Sequence, residues 1–202
     1  MTVLAWDDRN FEAGVDRGVL QFTGNPCVVW NGLMSVEEDA NVGEVKSLYL
    51  DGVNYLNVLT GRFFSAAVSA FSAPKDFLEA QGLKPVIPGF QLAQQPKRRF
   101  NFSYRVLTEN GYKLHLVYNC LANEPDRSHE TMGESTEPSE TSWIVNATPV
   151  VVPNYRPTAH FVVDSERASS ANLLELENWL YGTPEDYPWF PTVTELLTIF
   201  GG

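Results

Sequence analysis

Phe100-Asn-Phe-Ser-Tyr-Arg-Val106 and Tyr112-Lys-Leu-His-Leu-Val-Tyr-Asn119, either side of Asn110-Gly111, decide the fold class. In the first segment Phe100, Phe102, Tyr104 and Val106 alternate with Asn101, Ser103 and Arg105, the period of two that belongs to a strand. Asn-Gly between two such runs is a hairpin signal, because both residues accept the left-handed backbone of a tight turn. A two-residue loop pairs Val106 with His115 and Tyr104 with Val117. It also leaves Leu114, Leu116 and Tyr118 on the face of Arg105. Either a bulge slips the register by one, or both faces of the hairpin are covered. Double coverage is the favoured reading, with a contact between copies of the chain as its source.

Outward from this hairpin the pattern stays β. Cys27-Val-Val-Trp30 and Leu48-Tyr-Leu50 are runs of strand-forming residues, and Asp51-Gly52 before Val53-Asn-Tyr-Leu56 repeats the hairpin signal. Arg62 to Ala73 reads as a longer strand. Pro74, Asp76-Phe-Leu-Glu-Ala-Gln and Gly82 read as a two-turn helix with a glycine stop. Ala122 to Thr141 is a 20-residue acidic stretch, a length that is uncommon for a loop in a compact domain. Strands resume at Ser142–Thr148 and Thr158–Asp164. A helix follows, capped by Ser169 or Ser170, with Leu173, Leu176 and Leu180 on one stripe and Gly182 at its end. Thr192-x-x-Glu195 is a capping box opening a last helix, Val193 to Phe200. The expected fold is mainly β: a β-sandwich or partly closed barrel with one flanking helix and short extra helices. Residues 1–202 read as a single domain, with 1–15 as a candidate N-terminal arm and 122–141 as a long acidic loop.

The 202 residues are 44% hydrophobic and 19% charged, the balance of a folded chain. No apolar run approaches the roughly 18 to 20 residues of a membrane-spanning helix. The start, Met1-Thr-Val-Leu-Ala-Trp-Asp-Asp8, lacks the basic and apolar regions of a secretory signal, and two cysteines cannot staple a domain of this size. Both features predict a soluble protein made in a reducing compartment. The formal charge is −11 and unevenly spread: residues 1–45 carry −6, residues 46–113 carry +5, and the remainder is acidic again. So acidic a chain does not hold nucleic acid through its overall field. Segregated signs do suit self-association, although charge alone favours ordinary solubility charge.

Catalytic patterns are missing. His115, His129 and His160 are scattered, without a His-Glu-x-x-His, Cys-x-x-Cys or Gly-x-Ser-x-Gly arrangement. His115 and His160 fall in strand patterns and read as satisfied sheet histidines. Cys27 and Cys120 fall in apolar strands and read as buried small hydrophobes. Glu37-Glu38-Asp39 lacks calcium-loop spacing and reads as a solvated or lumen-facing charge run. Lys97-Arg98-Arg99 is the one basic cluster, either a solvated strand end or an ion-pair partner for an acidic terminus of another copy. No metal, cofactor or catalytic group is expected.

A collinear set of segments resembles the major tail (tail tube) proteins of long-tailed actinobacterial phages. It comprises Trp6-Asp-Asp-Arg-Asn-Phe-Glu-Ala-Gly-Val-Asp-Arg-Gly-Val-Leu20, Val29-Trp-Asn-Gly-Leu33, Asp51-Gly-Val-Asn-Tyr-Leu-Asn-Val58, Gln94-Gln-Pro96 and Ser103-Tyr-Arg105. Gly111-Tyr-Lys-Leu-His-Leu-Val-Tyr-Asn119, Pro157-Thr-Ala-His-Phe-Val-Val-Asp164 and Leu180-Tyr-Gly-Thr183 complete it. The acidic loop and the last dozen residues lie outside the match.

This resemblance implies a structural virion protein. In that family β-sandwich subunits close into hexameric rings around a lumen, and the rings stack into a tube through loops and terminal arms. DNA passes through without specific binding. Other tail proteins (tape measure, tail terminator, tail tip) are the implied partners, with synthesis in the cytoplasm of the bacterial host and the virion tail as destination. Glu37, Glu38 and Asp39 become candidate lumen-facing acids. Trp6, Asp7, Asp8, Arg9, Phe11, Lys97, Arg98 and Arg99 become candidate contacts between subunits or rings. The competing reading is a non-catalytic β-sandwich tail-tip or carbohydrate-binding module exposing Trp143, Trp179, Tyr187 and Trp189.

Overall fold

The computed structural model describes residues 11–39, 45–59, 63–125 and 140–201. In chain order the elements are β1 (Glu12–Phe22), β2 (Val28–Trp30), β3 (Leu33–Glu38), β4 (Val45–Leu50), β5 (Val53–Leu59) and β6 (Phe64–Ala70). Next come α1 (Phe77–Ala80), β7 (Lys84–Ile87), β8 (Phe90–Leu92), β9 (Phe100–Thr108), β10 (Tyr112–Ala122), β11 (Thr141–Ala147) and β12 (His160–Asp164). Two helices, α2 (Ser170–Tyr181) and α3 (Val193–Phe200), close the chain. The fold is mainly β with few helices, as expected. The β6 strand is shorter than Arg62–Ala73, and α1 is one turn where two are expected.

Eight strands form one antiparallel sheet in the order β2-β1-β9-β10-β11-β6-β3, with β12 attached to β10. The strands at the two ends of that path, β2 and β3, are joined by Asn31-Gly32 alone, so the sheet curls until its ends approach each other. Gly18 in β1 marks the approach: a Cβ there would lie 2.9 Å from the Trp30 carbonyl oxygen and 3.4 Å from Leu33 Cδ2. The curl stops short of a closed barrel.

Its hollow is filled by aromatics. Trp30 is 2% exposed and meets Phe77 at 4.5 Å, Phe102 at 5.4 Å and Trp143 at 5.7 Å between ring centroids. Its indole N–H donates to the Ser72 carbonyl (2.9 Å), so the buried polar group is satisfied. Rings of this size each bury on the order of 150–250 Å² and dominate the core energetics.

The central hairpin differs from its sequence reading. The Cα partners run Tyr112↔Leu107, Lys113↔Val106, Leu114↔Arg105 and His115↔Tyr104, a shift of two residues from the expected pairing. The loop is therefore Thr108–Gly111, and neither Asn110 nor Gly111 has a left-handed backbone. Tyr112 N–H donates to Ser165 Oγ (2.8 Å), so the turn is shaped by the segment after β12. A shift of two keeps each side chain on its face. Double coverage is thus real, but the chain provides it itself. Leu114, Leu116 and Tyr118 pack under Leu176, Leu180, Phe190 and Leu196, and the Tyr118 hydroxyl donates to the Pro191 carbonyl (2.9 Å). The expectation that a neighbouring copy covers this face is corrected. Each of those leucines contributes about 1.5–3 kcal/mol by leaving water.

The last helix starts where the sequence says it does. Thr192 Oγ1 accepts from the Glu195 N–H (3.3 Å), and the Glu195 carboxylate accepts from the Thr192 N–H (2.7 Å).

Candidate functional site

Four polar side chains converge on the core side of the curled sheet. His115 on β10 lies opposite Tyr104 on β9. In the β10–β12 pair Val117 faces His160, which makes His160 a diagonal neighbour of His115. Glu38 ends β3 with the same inward parity as Val36, which packs on the core. Its carboxylate reaches across to the other three. The Tyr104 hydroxyl donates to Glu38 Oε1 at 2.6 Å. His115 Nδ1 lies 3.2 Å from the same oxygen and 2.9 Å from His160 Nε2. His160 Nδ1 lies 3.8 Å from Glu38 Oε2. The Glu38 bridge therefore ties β3 to three strands with which it does not pair.

Rings enclose the cluster: Tyr104 stacks on His115 at 4.6 Å, and Phe64 meets His160 edge-on at 4.7 Å. His115 is 7% exposed, and its Nε2 has no hydrogen-bond partner among the described residues. The hydrogen bond with His115 holds the Glu38 carboxyl down at about 2, against its partial burial. Burial takes His160 down to about 4, against the attraction of Glu38. The cluster at neutral pH thus has a carboxylate beside an uncharged His160 imidazole. One donor atom each from Glu38, His115 and His160 lies within 4.8 Å of the other two, the only such group of potential metal ligands among the described residues.

A second feature is apolar surface without a partner in the chain. Strands β4 and β5 form a separate two-stranded sheet with Asp51 (φ 49°) and Gly52 (φ 77°) at its turn. They expose Leu48, Tyr49, Leu50, Val53, Tyr55 and Leu56, each between 51% and 73%. The register pairs Leu50 with Val53 and Leu48 with Leu56, so these four share one apolar face, with Tyr49 on the other and Tyr55 at a bulge. Isolated hairpins are marginal in water, and this apolar face is left uncovered among the described residues. Strands β7 and β8 form a smaller pair of the same kind, exposing Val86, Ile87 and Phe90.

The third feature is the outer face of β3, β6 and β11. Inward residues here are Val36, Ala66, Val68, Ala70, Trp143 and Val145. Register then assigns Ser35, Glu37, Ser65, Ala67, Ser69, Ser142, Ile144 and Asn146 to the outside. Apart from Ile144 this strip is small and polar, holds no Lys or Arg, and carries Glu37 as its acid.

The sequence-derived candidates fare unequally. Glu37, Glu38 and Asp39 are all exposed, but only Glu38 reaches Tyr104 and the two histidines. Trp6, Asp7, Asp8 and Arg9 lie outside the described residues, as do His129 and most of the acidic loop. Phe11 is 54% exposed. Lys97 is exposed. The other two members of the basic cluster have partners in their own chain. Arg98 pairs with Glu79 (3.0 Å) and Asn25 (2.8 Å), with its guanidinium over Phe22. Arg99 donates to the Asn119 carbonyl and side chain (both 3.2 Å) and to Thr148 Oγ1 (3.0 Å). Asn119 has φ 57° and sits where β10 passes from pairing with β12 to pairing with β11, so Arg99 braces a bulge. Burial raises both thiols, Cys27 to about 12 and Cys120 further, which removes nucleophilic thiolate.

Of the four aromatics named for a binding module, Trp143 is buried at 3%. Trp179, Tyr187 and Trp189 line a groove of about 470 Å³ with Glu175, Asn178 and Asp186.

No protein-family model matches the chain, and no curated protein matches it. Among solved structures it is similar to the PVC sheath/tube terminator, in the extended state, of an extracellular contractile injection system. The two are 16% identical with a TM-score of 0.31, over 67% of this chain and 91% of that one. A likeness this distant has no bearing on function.

Proposed function

We propose that this chain is a tail tube subunit: a non-catalytic virion protein whose copies assemble into hexameric rings that stack into a hollow cylinder for DNA. The observation that carries this reading is the β4–β5 hairpin. Its apolar face of Leu48, Leu50, Val53 and Leu56 is exposed, as are Tyr49 and Tyr55, and a second copy is the partner always present at a matching concentration. Self-association also covers sheet edges, since β2 and β3 each pair on one side only among the described residues.

The small polar strip of β3, β6 and β11 is the proposed lumen wall, with Glu37 on it and Asp39 at its rim. Duplex DNA carries about one negative charge per 1.7 Å of axis, so a basic wall grips every passing phosphate. An acidic wall of small side chains repels the rod over roughly 8 Å at physiological salt and offers nothing to catch on. Glu38 is not part of that wall in this reading. Of the 1–15 and 122–141 segments, residues 12–15, Ala122 and Thr141 belong to the sheet, and the remaining residues are the proposed arms toward the next ring, with Lys97 and Phe11 at contacts. Tape measure, terminator and tip proteins are the proposed further partners, and the virion tail the destination.

Negative-stain images of the concentrated protein test the proposal. Rings or hollow rods are expected, and discrete particles at every concentration overturn it. The groove of Trp179, Tyr187 and Trp189 favours the second reading, a tail-tip or carbohydrate-binding module, because aromatic faces beside carboxylates and amides suit sugar rings. Discrete particles that bind an oligosaccharide point to that module.

A further inference from the structure

Protons leave the contacts of the Glu38–His115–His160 cluster incompletely satisfied. Three inward atoms, His115 Nδ1, His160 Nε2 and Glu38 Oε1, meet around His115 Nδ1 at 2.9 Å and 3.2 Å. If His115 Nδ1 carries the proton, one N–H is shared between His160 and Glu38, and the remaining His160 N–H faces Glu38 Oε2 across 3.8 Å, beyond hydrogen-bond reach. If His160 Nε2 carries it, the bare Nδ1 lone pair points at a carboxylate oxygen. Either way one contact around the buried His115 ring is poorly used.

We propose that Glu38, His115 and His160 form a binding site for a zinc-type divalent cation, held by two imidazole nitrogens and one carboxylate oxygen with solvent in the remaining position. A cation at the centre engages all three lone pairs at once. Tetrahedral zinc with ligands at about 2.0–2.1 Å places donor atoms about 3.3 Å apart. The observed separations of 2.9 and 3.2 Å need only a slight opening to reach that value. Two imidazoles select zinc, cobalt, nickel or copper over magnesium and calcium, which prefer all-oxygen shells.

The surroundings fit. The Tyr104 hydroxyl donates to the same Glu38 Oε1 at 2.6 Å and fixes its position, a contact of the kind that orients metal-bound carboxylates. The Glu38 side chain is 39% exposed, which leaves an entry path and room for a bound water. The consequence is mechanical. The three ligands come from β3, β10 and β12, so the metal clamps the end of the curled sheet, in a free subunit and in an assembly alike.

The test uses the full chain stripped with chelator, then titrated with ZnCl₂ by calorimetry and with CoCl₂ by visible absorption. One ion per chain is expected, with an intense tetrahedral cobalt spectrum and a zinc-dependent rise in Tm. His160→Ala and Glu38→Gln each weaken binding at least about tenfold and abolish the Tm rise. His129→Ala leaves both unchanged. The chain has three histidines, which gives a readout on the unmutated protein should a variant fail to fold. Two imidazole ring signals shift in NMR on zinc addition and the third stays. The proposal is overturned by absence of binding, by binding that both cluster variants retain, or by shifts confined to one ring or spread over all three.

Discussion

Replacing Tyr55 by serine separates folding from assembly. Tyr55 is 73% exposed in the single chain, which corresponds to about 150 Å² of aromatic surface still in contact with water. If a neighbouring copy covers it, the contact contributes about 4 kcal/mol at ~25 cal/mol per Å², of which serine retains roughly a third. The net loss of about 2.5 kcal/mol raises the concentration needed for polymerisation by nearly two orders of magnitude, ~70-fold. Within the subunit the same change removes nothing buried, so stability stays within about 0.5 kcal/mol and Tm within roughly 2 °C. Sedimentation across a dilution series measures the threshold, and urea unfolding of the unassembled chain measures the control. A polymerisation threshold unchanged by Tyr55→Ser refutes the hairpin as an assembly element. A large drop in subunit stability refutes it differently, since the side chain then has a partner in its own chain.

Two further outcomes follow from the fold. Asp16 accepts two hydrogen bonds from Arg105, at 2.7 and 2.6 Å, and this holds its carboxyl below the ordinary 3.8. A depressed folded value stabilises above the unfolded one, so Asp16→Asn costs about 1 kcal/mol at neutral pH, discounted for the partial exposure of Asp16. The difference from the unmutated chain shrinks as pH falls through 3.8 and below it; a gap that widens in acid contradicts the assignment. Leu176 is fully buried between α2 and β10, so Leu176→Ala costs about 2–4 kcal/mol in urea unfolding of the unassembled chain. A cost near zero there means that these helices do not cover the sheet.

What was legible in the sequence was local. The Thr192/Glu195 capping box, the Gly182 stop and the Asp51-Gly52 turn each depend on residues within three or four positions, and each is found where the spacing places it. Asn110-Gly111 misled because a distant residue, Ser165, takes the Tyr112 N–H and opens the loop to four residues. The histidine cluster was out of reach for the same reason. His115 and His160 meet through the β10–β12 register, and Glu38 joins them only when the sheet curls. One signal was available: Glu38 has the parity of Val36, and an acid at an inward strand position requires partners to offset its desolvation. Three consecutive carboxylates were read as one charge run, although a strand sends neighbours to opposite faces.

That alternation bears on the assembly reading. On β10 and β12 the outer sheet face is apolar, and the chain covers it with α2 and α3 and the segment between them. On β3, β6 and β11 the outer face is mostly serine, with Ala67, Ile144, Asn146 and Glu37, and apart from Ser69 it stays partly or fully exposed. A sheet whose two halves are treated so differently does not read as an ordinary solvent-facing surface, which tolerates long charged side chains and normally displays lysine and arginine. Absence of those side chains from the open strip has a purpose if something negatively charged slides past it. It also makes the lumen assignment sharp: placing lysines at Ser65 and Ser142, both on that strip, leaves the sheet intact but converts a repelling wall into one that holds phosphate. Assembled tubes of that double variant are expected to retain duplex DNA in a salt-dependent way while unmodified tubes do not. Equal retention by both refutes the wall.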